Sequence, residues 1–356
     1  NRNIIIEGEN NTSSLADKIL ELAQGNTIEE LNYFHTDLAF WTDLIDLADN
    51  SIDTSITPNW YLNDNGNYIS NIKSNGNKLQ YKNIRAEGSE HDFILSFGSS
   101  YEEKLYLGVT IGFPSINYNE VSNYTEDVLE DTINGLKGFS YQEELSTSGS
   151  GINIKTGMLV RISERLKLGA SLHSPTYYSF EETYSTSLST YFIRDNFSEN
   201  SPYNYFEYEL FTPWKAMISI STNLNKSILI NADYEIVDYS FSKMSSSMYD
   251  FRQENQAIKD MYQQTNNIRI GTEINIKPFA LRGGYSKYGS PYIEKDFSKE
   301  NYSFGIGINN GGYSFDVAYI LSQQKGEYNL YSNDYINPIS LFKTDHNIVI
   351  SLGLRY

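Results

Sequence analysis

The charged side chains of this 356-residue chain recur at alternate positions of short apolar stretches. Lys155 and Arg161 alternate with Ile154, Met158 and Val160, and Lys167 and His173 with Leu166, Leu168 and Leu172. Asp233 and Glu235 flank Tyr234; Arg269 and Glu273 run between Ile268, Ile270 and Ile274; Arg282, Asp316 and Arg355 sit beside Leu281, Phe315 and Leu354. Successive side chains of a strand point to opposite faces, so these charges share one face and the aliphatic residues the other. Two kinds of chemistry suit such a face. The charges can brace one another, since a charge held away from water needs a partner. Alternatively, a basic spot among them meets a carboxylate at the end of an apolar pocket.

Other chemistry finds little support. His35, His91, His173 and His346 lack a second histidine or acid at metal-ligand spacing, so neither a metal nor a cofactor is expected. There is no Gly-x-Ser-x-Gly elbow, which disfavours an enzyme. Without cysteine there are no disulfides or thiolate sites. A net charge of -18 argues against nucleic acid, whose phosphates require clustered Lys and Arg. Acidic loops could hold divalent cations, but such charge is first of all a solvated surface.

The elements that carry these residues read as antiparallel strands. In Asn347 to Tyr356, Ile348, Ile350, Leu352 and Leu354 oppose Val349, Ser351, Gly353 and Arg355, and the chain stops on an aromatic. Lipid on the apolar side and a lumen on the other would explain that ending. The same alternation recurs from Leu79 onward, giving about eleven strands plus a stub over residues 1–7. Tight turns fall near residues 102, 164, 224, 277 and 311, whereas the connections at 125–137, 187–203, 243–264, 288–299 and 328–344 are long and polar. Short turns on one rim and long loops on the other is the arrangement of outer-membrane barrels, and it places the C-terminus on the periplasmic side. No stretch reaches the roughly 20 apolar residues of a helical span. A mean hydropathy of -0.47 suits a barrel, and 30 Tyr with 18 Phe suit a membrane interface.

Residues 8–78 form a long insert within one barrel domain spanning 1–356. Ser13 to Gln24 has helical spacing behind a Ser13 or Ser14 cap. A second helix starts at Thr27, with Glu30 completing a capping box, and carries Leu31, Phe34, Leu38 and Trp41. These helices pack on each other and on the barrel rim, or they offer Leu31, Phe34, Leu38 and Trp41 as a surface that captures an apolar ligand.

Several stretches together resemble the FadL/TodX family of outer-membrane transporters for long-chain fatty acids and aromatic hydrocarbons. They are Leu166–Thr176 with its Ser-Pro corner, Thr212-Pro213-Trp214-Lys215, Asn267–Glu273 followed by Leu281–Tyr285, and Tyr302–Gly307. The resemblance implies an all-β, antiparallel transmembrane β-barrel of fourteen strands, of which about eleven to twelve fall here, with small helices in the extracellular loops. It also implies an N-terminal hatch with an Asn-Pro-Ala motif; no such motif opens this sequence, so the hatch and first strands are expected upstream of Asn1. The function implied is passive uptake of hydrophobic small molecules, with outer-membrane lipid and such a ligand as partners. A rival reading is a barrel that docks a protein through its long acidic loops. A soluble β-sandwich is disfavoured by the regular alternation of long and short connections.

Overall fold

The structure, a computed structural model, describes residues 2–48, 66–129, 133–225, 227–310, 312–332 and 334–354. Its strands are β1 (Arg2–Asn10), β2 (Ile45–Leu47), β3 (Tyr68–Ser70), β4 (Lys78–Tyr101), β5 (Leu105–Val128) and β6 (Leu136–Arg161). Then come β7 (Leu166–His173), β8 (Tyr177–Phe192), β9 (Asn196–Asn200), β10 (Asn204–Phe211), β11 (Lys215–Asn223) and β12 (Ile228–Asp238). The chain ends with β13 (Lys243–Ser245), β14 (Gln264–Ile276), β15 (Phe279–Tyr288), β16 (Lys299–Asn309), β17 (Tyr313–Tyr328) and β18 (Ile339–Leu354). Helices are α1 (Leu15–Ala23), α2 (Thr36–Trp41) and α3 (Arg252–Met261).

One antiparallel sheet follows chain order as β1-β4-β5-β6-β7-β11-β12-β14-β15-β16-β17-β18, the stub and eleven strands expected from the alternation. The register keeps one parity on each face throughout. Ile306 stands opposite Leu281 and Val317, and Val317 opposite Ile350, while Gly305 stands opposite Arg282 and Ala318. The aliphatic parity has no protein against it: Ile350 is 66% and Leu352 71% exposed. An apolar band on the outside of a sheet with polar residues within is the transmembrane β-barrel signature. No helix among the described residues is long and apolar enough to cross a membrane.

The tight turns join β4 to β5, β6 to β7, β11 to β12, β14 to β15 and β16 to β17, all on one rim. At the first of them three residues link Tyr101 to its partner Leu105; Glu102 and Glu103 both hold positive φ, 49° and 53°, and the Lys104 amide donates to the Tyr101 carbonyl at 3.0 Å. The tight turn near residue 311 includes Gly311, which lies outside the described residues.

The opposite rim departs from a simple set of loops. β4 has 24 residues, about 80 Å at 3.3 Å per residue, whereas a tilted strand crosses a bilayer in roughly 10 residues. β4, β5 and β6 therefore continue well beyond the apolar band. In this extension β4 alternates buried with half-buried positions from Lys78 to Ile84, Arg85 is exposed, Ala86 is buried, and the strand is exposed from Glu87. Residues 187–203, expected as a loop, are instead strand: β8 pairs with β6 and returns as β9 and β10. Polar Ser, Thr, Tyr and Glu fill both parities there, because water rather than lipid bathes the outside, and the hydrophobic period that betrays a spanning strand is missing. The expected loop at 243–264 likewise contains α3, and the one at 125–137 shrinks to the link between Val128 and Leu136.

The insert fills the mouth of this extension. α1 starts at Ser14, whose side chain accepts from the Ala16 amide, and Asp17 returns a bond to the Ser14 amide at 2.7 Å. The second expected helix is broken: Thr27 and Glu30 do form a capping box, but it heads only a 3-10 turn at Ile28–Glu30, and α2 begins afresh at Thr36. Asn32 causes the break by accepting the Phe34 amide at 2.8 Å through its side chain, an Asx turn that competes with helix. Ala16, Ile19, Leu31, Leu38, Phe40, Leu44 and Ile45 then pack with Tyr124, Leu136, Phe139, Tyr141 and Leu188 of the wall in one dry cluster. Each fully buried large side chain contributes roughly 1.5–3 kcal/mol. Glu126 of β5 ties insert to wall, accepting from Ser14 Oγ at 2.5 Å, Tyr124 Oη at 2.6 Å and Gln80 Nε2 at 3.1 Å.

Candidate functional site: the inner face of the sheet

Five of the expected inner-face residues come together. Asp233, Arg269, Glu273, Arg282 and Asp316 line one recess of about 560 Å3 on the wall from β12 to β17. Arg282 reaches Glu273 Oε2 through Nε at 2.6 Å and also donates through Nη1 to Asp316 Oδ1. Gly307 makes room for this bridge, since a Cβ there would collide with Asp316 Oδ1 and lie 3.0 Å from Arg282 Nη1. Arg269 donates to Glu235 Oε2 at 3.1 Å and stacks over Tyr288 at 5.3 Å, while Asn267 Nδ2 donates to Glu235 Oε1 at 2.7 Å. Three acids, Glu235, Glu273 and Asp316, and both guanidiniums on this wall are thus paired, the cross-braced arrangement, whereas Asp233 has no basic partner within 4 Å among the described residues.

A second recess of about 560 Å3 lies on the wall from β5 to β11 and includes Lys155 and His173 beside Gly108, Gly157, Gly169 and Ser219. Lys155 Nζ is 3.4 Å from Asp92 Oδ2, an acid on the inner parity of β4 that the alternation there contains but that sequence reasoning passed over. Asn267, Tyr288 and Tyr106 were missed for a simpler reason: uncharged polar residues are common on both faces of strands.

Arg161 and Lys167 stand directly opposite each other across β6 and β7, next to the tight-turn rim. Arg161 lies over Tyr106, 6.0 Å from the ring, and neither cation has an acid within 4 Å among the described residues. Arg355 lies outside the described residues.

The insert residues divide. Leu31 is 3% and Leu38 2% exposed, so protein covers them and they cannot catch a ligand; their helical spacing served the core. Phe34 is half-buried and packs on Tyr184 at 5.5 Å, which leaves Trp41 as the exposed one of the four. His35 Nδ1 sits 2.7 Å from Tyr141 Oη, and burial pushes its imidazole below the ordinary histidine value against the opposing pull of Glu143. His346 Nδ1 is 2.6 Å from Tyr319 Oη. Among the described residues no three His, Asp or Glu converge as metal ligands.

No sequence family and no curated protein sequence matches the chain. Among solved structures it superposes on a Pseudomonas aeruginosa FadL homologue with a TM-score of 0.50 at 10% identity, over 80% of this chain and 74% of the other. Likenesses to the Ralstonia pickettii toluene transporter TbuX (TM-score 0.40, 13% identity, 81% and 85% covered) and the Pseudomonas putida toluene transporter TodX (0.39, 12%, 78% and 80%) are too slight to bear argument. The class defined is the antiparallel transmembrane β-barrel. Within that class the chain has the FadL-type fold, and at 10% identity the likeness is one of fold.

Proposed function

We propose that this protein is a single-domain outer-membrane barrel that lets hydrophobic small molecules, long-chain fatty acids or aromatic hydrocarbons, pass inward down their gradient. The observation that carries the reading is the division of labour on the inner face. On one wall both guanidiniums, Arg269 and Arg282, are held by acids, while on another Arg161 and Lys167 have no acid within 4 Å among the described residues and lie beside a recess rich in glycine. A carboxylate arriving with an apolar tail would find two cations there and room for the tail along Gly157 and Gly169. Removal of each methylene from water favours entry by roughly 0.8 kcal/mol. The tight-turn rim, where β18 ends, faces the periplasm in this reading, and the insert faces outward.

The test is uptake by Gram-negative cells that lack their own hydrophobic channels. Expression should speed entry of labelled oleate and leave a disaccharide unchanged. Arg161→Gln with Lys167→Gln should cut oleate entry about tenfold, as loss of about 1.4 kcal/mol implies, and spare toluene, which has no carboxylate. Equal rates for oleate and disaccharide would sink the proposal.

A further inference from the structure

We propose that the free edge formed by β9 and the start of β10 docks an extended, Lys- or Arg-bearing protein segment, which adds to the sheet as a further strand. β8 holds both strands from one side only. On the other side Glu209–Phe211 pair with β13, and Ser246 Oγ donates to the Glu207 carbonyl at 2.8 Å. From Asn196 to Phe206 no strand among the described residues takes up the outward edge. Natural sheets guard such edges, chiefly with lysine or proline. This one has Pro202 between the two strands and no Lys or Arg anywhere from Tyr177 to Phe192 or Asn196 to Phe211.

The charge on the edge selects the occupant. Glu181 of β8 stands directly opposite Glu207 of β10, a like-charge pair that weakens a sheet unless a cation joins it. Neither has a basic partner within 4 Å among the described residues, and Tyr205 Oη donates to Glu207 Oε1 at 2.7 Å. Tyr203, 82% exposed, and Tyr205 flank these carboxylates and offer ring faces to a cation. Beside them Glu144, Asn200, Ser201 and Tyr203 line a recess of about 180 Å3, enough for one long basic side chain. A second copy fits badly, because antiparallel pairing of two such edges would set Glu199 and Glu207 among like charges. Main-chain bonds along the edge with alternate basic side chains on the Glu/Tyr face is strand addition.

The test uses the whole protein in detergent micelles and a fluorescent decapeptide alternating Lys with Val. Anisotropy should show binding that weakens at high salt, with no binding of the peptide in which Glu replaces Lys. Glu181→Gln with Glu207→Gln, which relieves repulsion and so leaves the fold intact, should weaken binding at least tenfold. The Lys peptide methylated on alternate backbone nitrogens keeps its charge but cannot extend the sheet, and it too should lose at least tenfold. Equal binding of the methylated peptide, undiminished binding to the Gln variant, or an edge-paired homodimer in solution would each overturn the proposal. The outcome does not depend on transport.

Discussion

At the residue scale the Glu273–Arg282–Asp316 bridge shows how a charge pattern becomes a constraint. Arg282→Ala should leave two carboxylates facing each other on one wall and cost about 1 kcal/mol, since the site is partly wet. Removing all three charges together should restore most of that loss, and unfolding midpoints in micelles would measure both. Gly307→Ala should mimic Arg282→Ala, because the new methyl occupies the space of the Asp316 carboxylate. That these residues share a face was legible from alternation. Which acid meets which base was not, since Glu273 meets Arg282 through one hairpin and Asp316 meets it from a strand once removed.

At the element scale the insert behaves as a plug-in core. Leu38→Ala should remove about 2–5 kcal/mol from its docking while the spanning strands stay paired. Limited proteolysis should then cut residues 11–77 sooner, with the heat-modified gel shift of the barrel unchanged. Docking should also depend on pH through His35. Its pKa falls on burial, so below about 6.5 the undocked insert binds more protons and docking weakens as pH drops. Proteolysis at pH 5.5 should outpace that at pH 7.5, and His35→Gln should flatten the difference. The helical spacing of Leu31 and Leu38 was readable, but a capture surface and a core ask for the same spacing. Only the wall residues Tyr141 and Leu188, more than 100 residues away, tell the two apart.

At the scale of the whole molecule the outward aliphatic parity is the feature with the largest consequence. Ile350→Arg should cost about 2–4 kcal/mol in a bilayer and far less in the unfolded chain, readable as a shifted urea midpoint for folding into vesicles. The same substitution at Glu87, above the band, should cost little.

Period-2 alternation, turn chemistry and the placing of charge on one parity are properties of neighbouring residues, so the chain by itself determined the spanning strands, their faces and the tight rim. The wall that rises beyond the membrane, the hairpin of β8 to β10, the buried fate of Leu31 and Leu38 and the partners of each charge were decided only on folding. Where water bathes a strand, no oily parity marks it, and contacts between distant strands exist only once the register of the entire sheet is set.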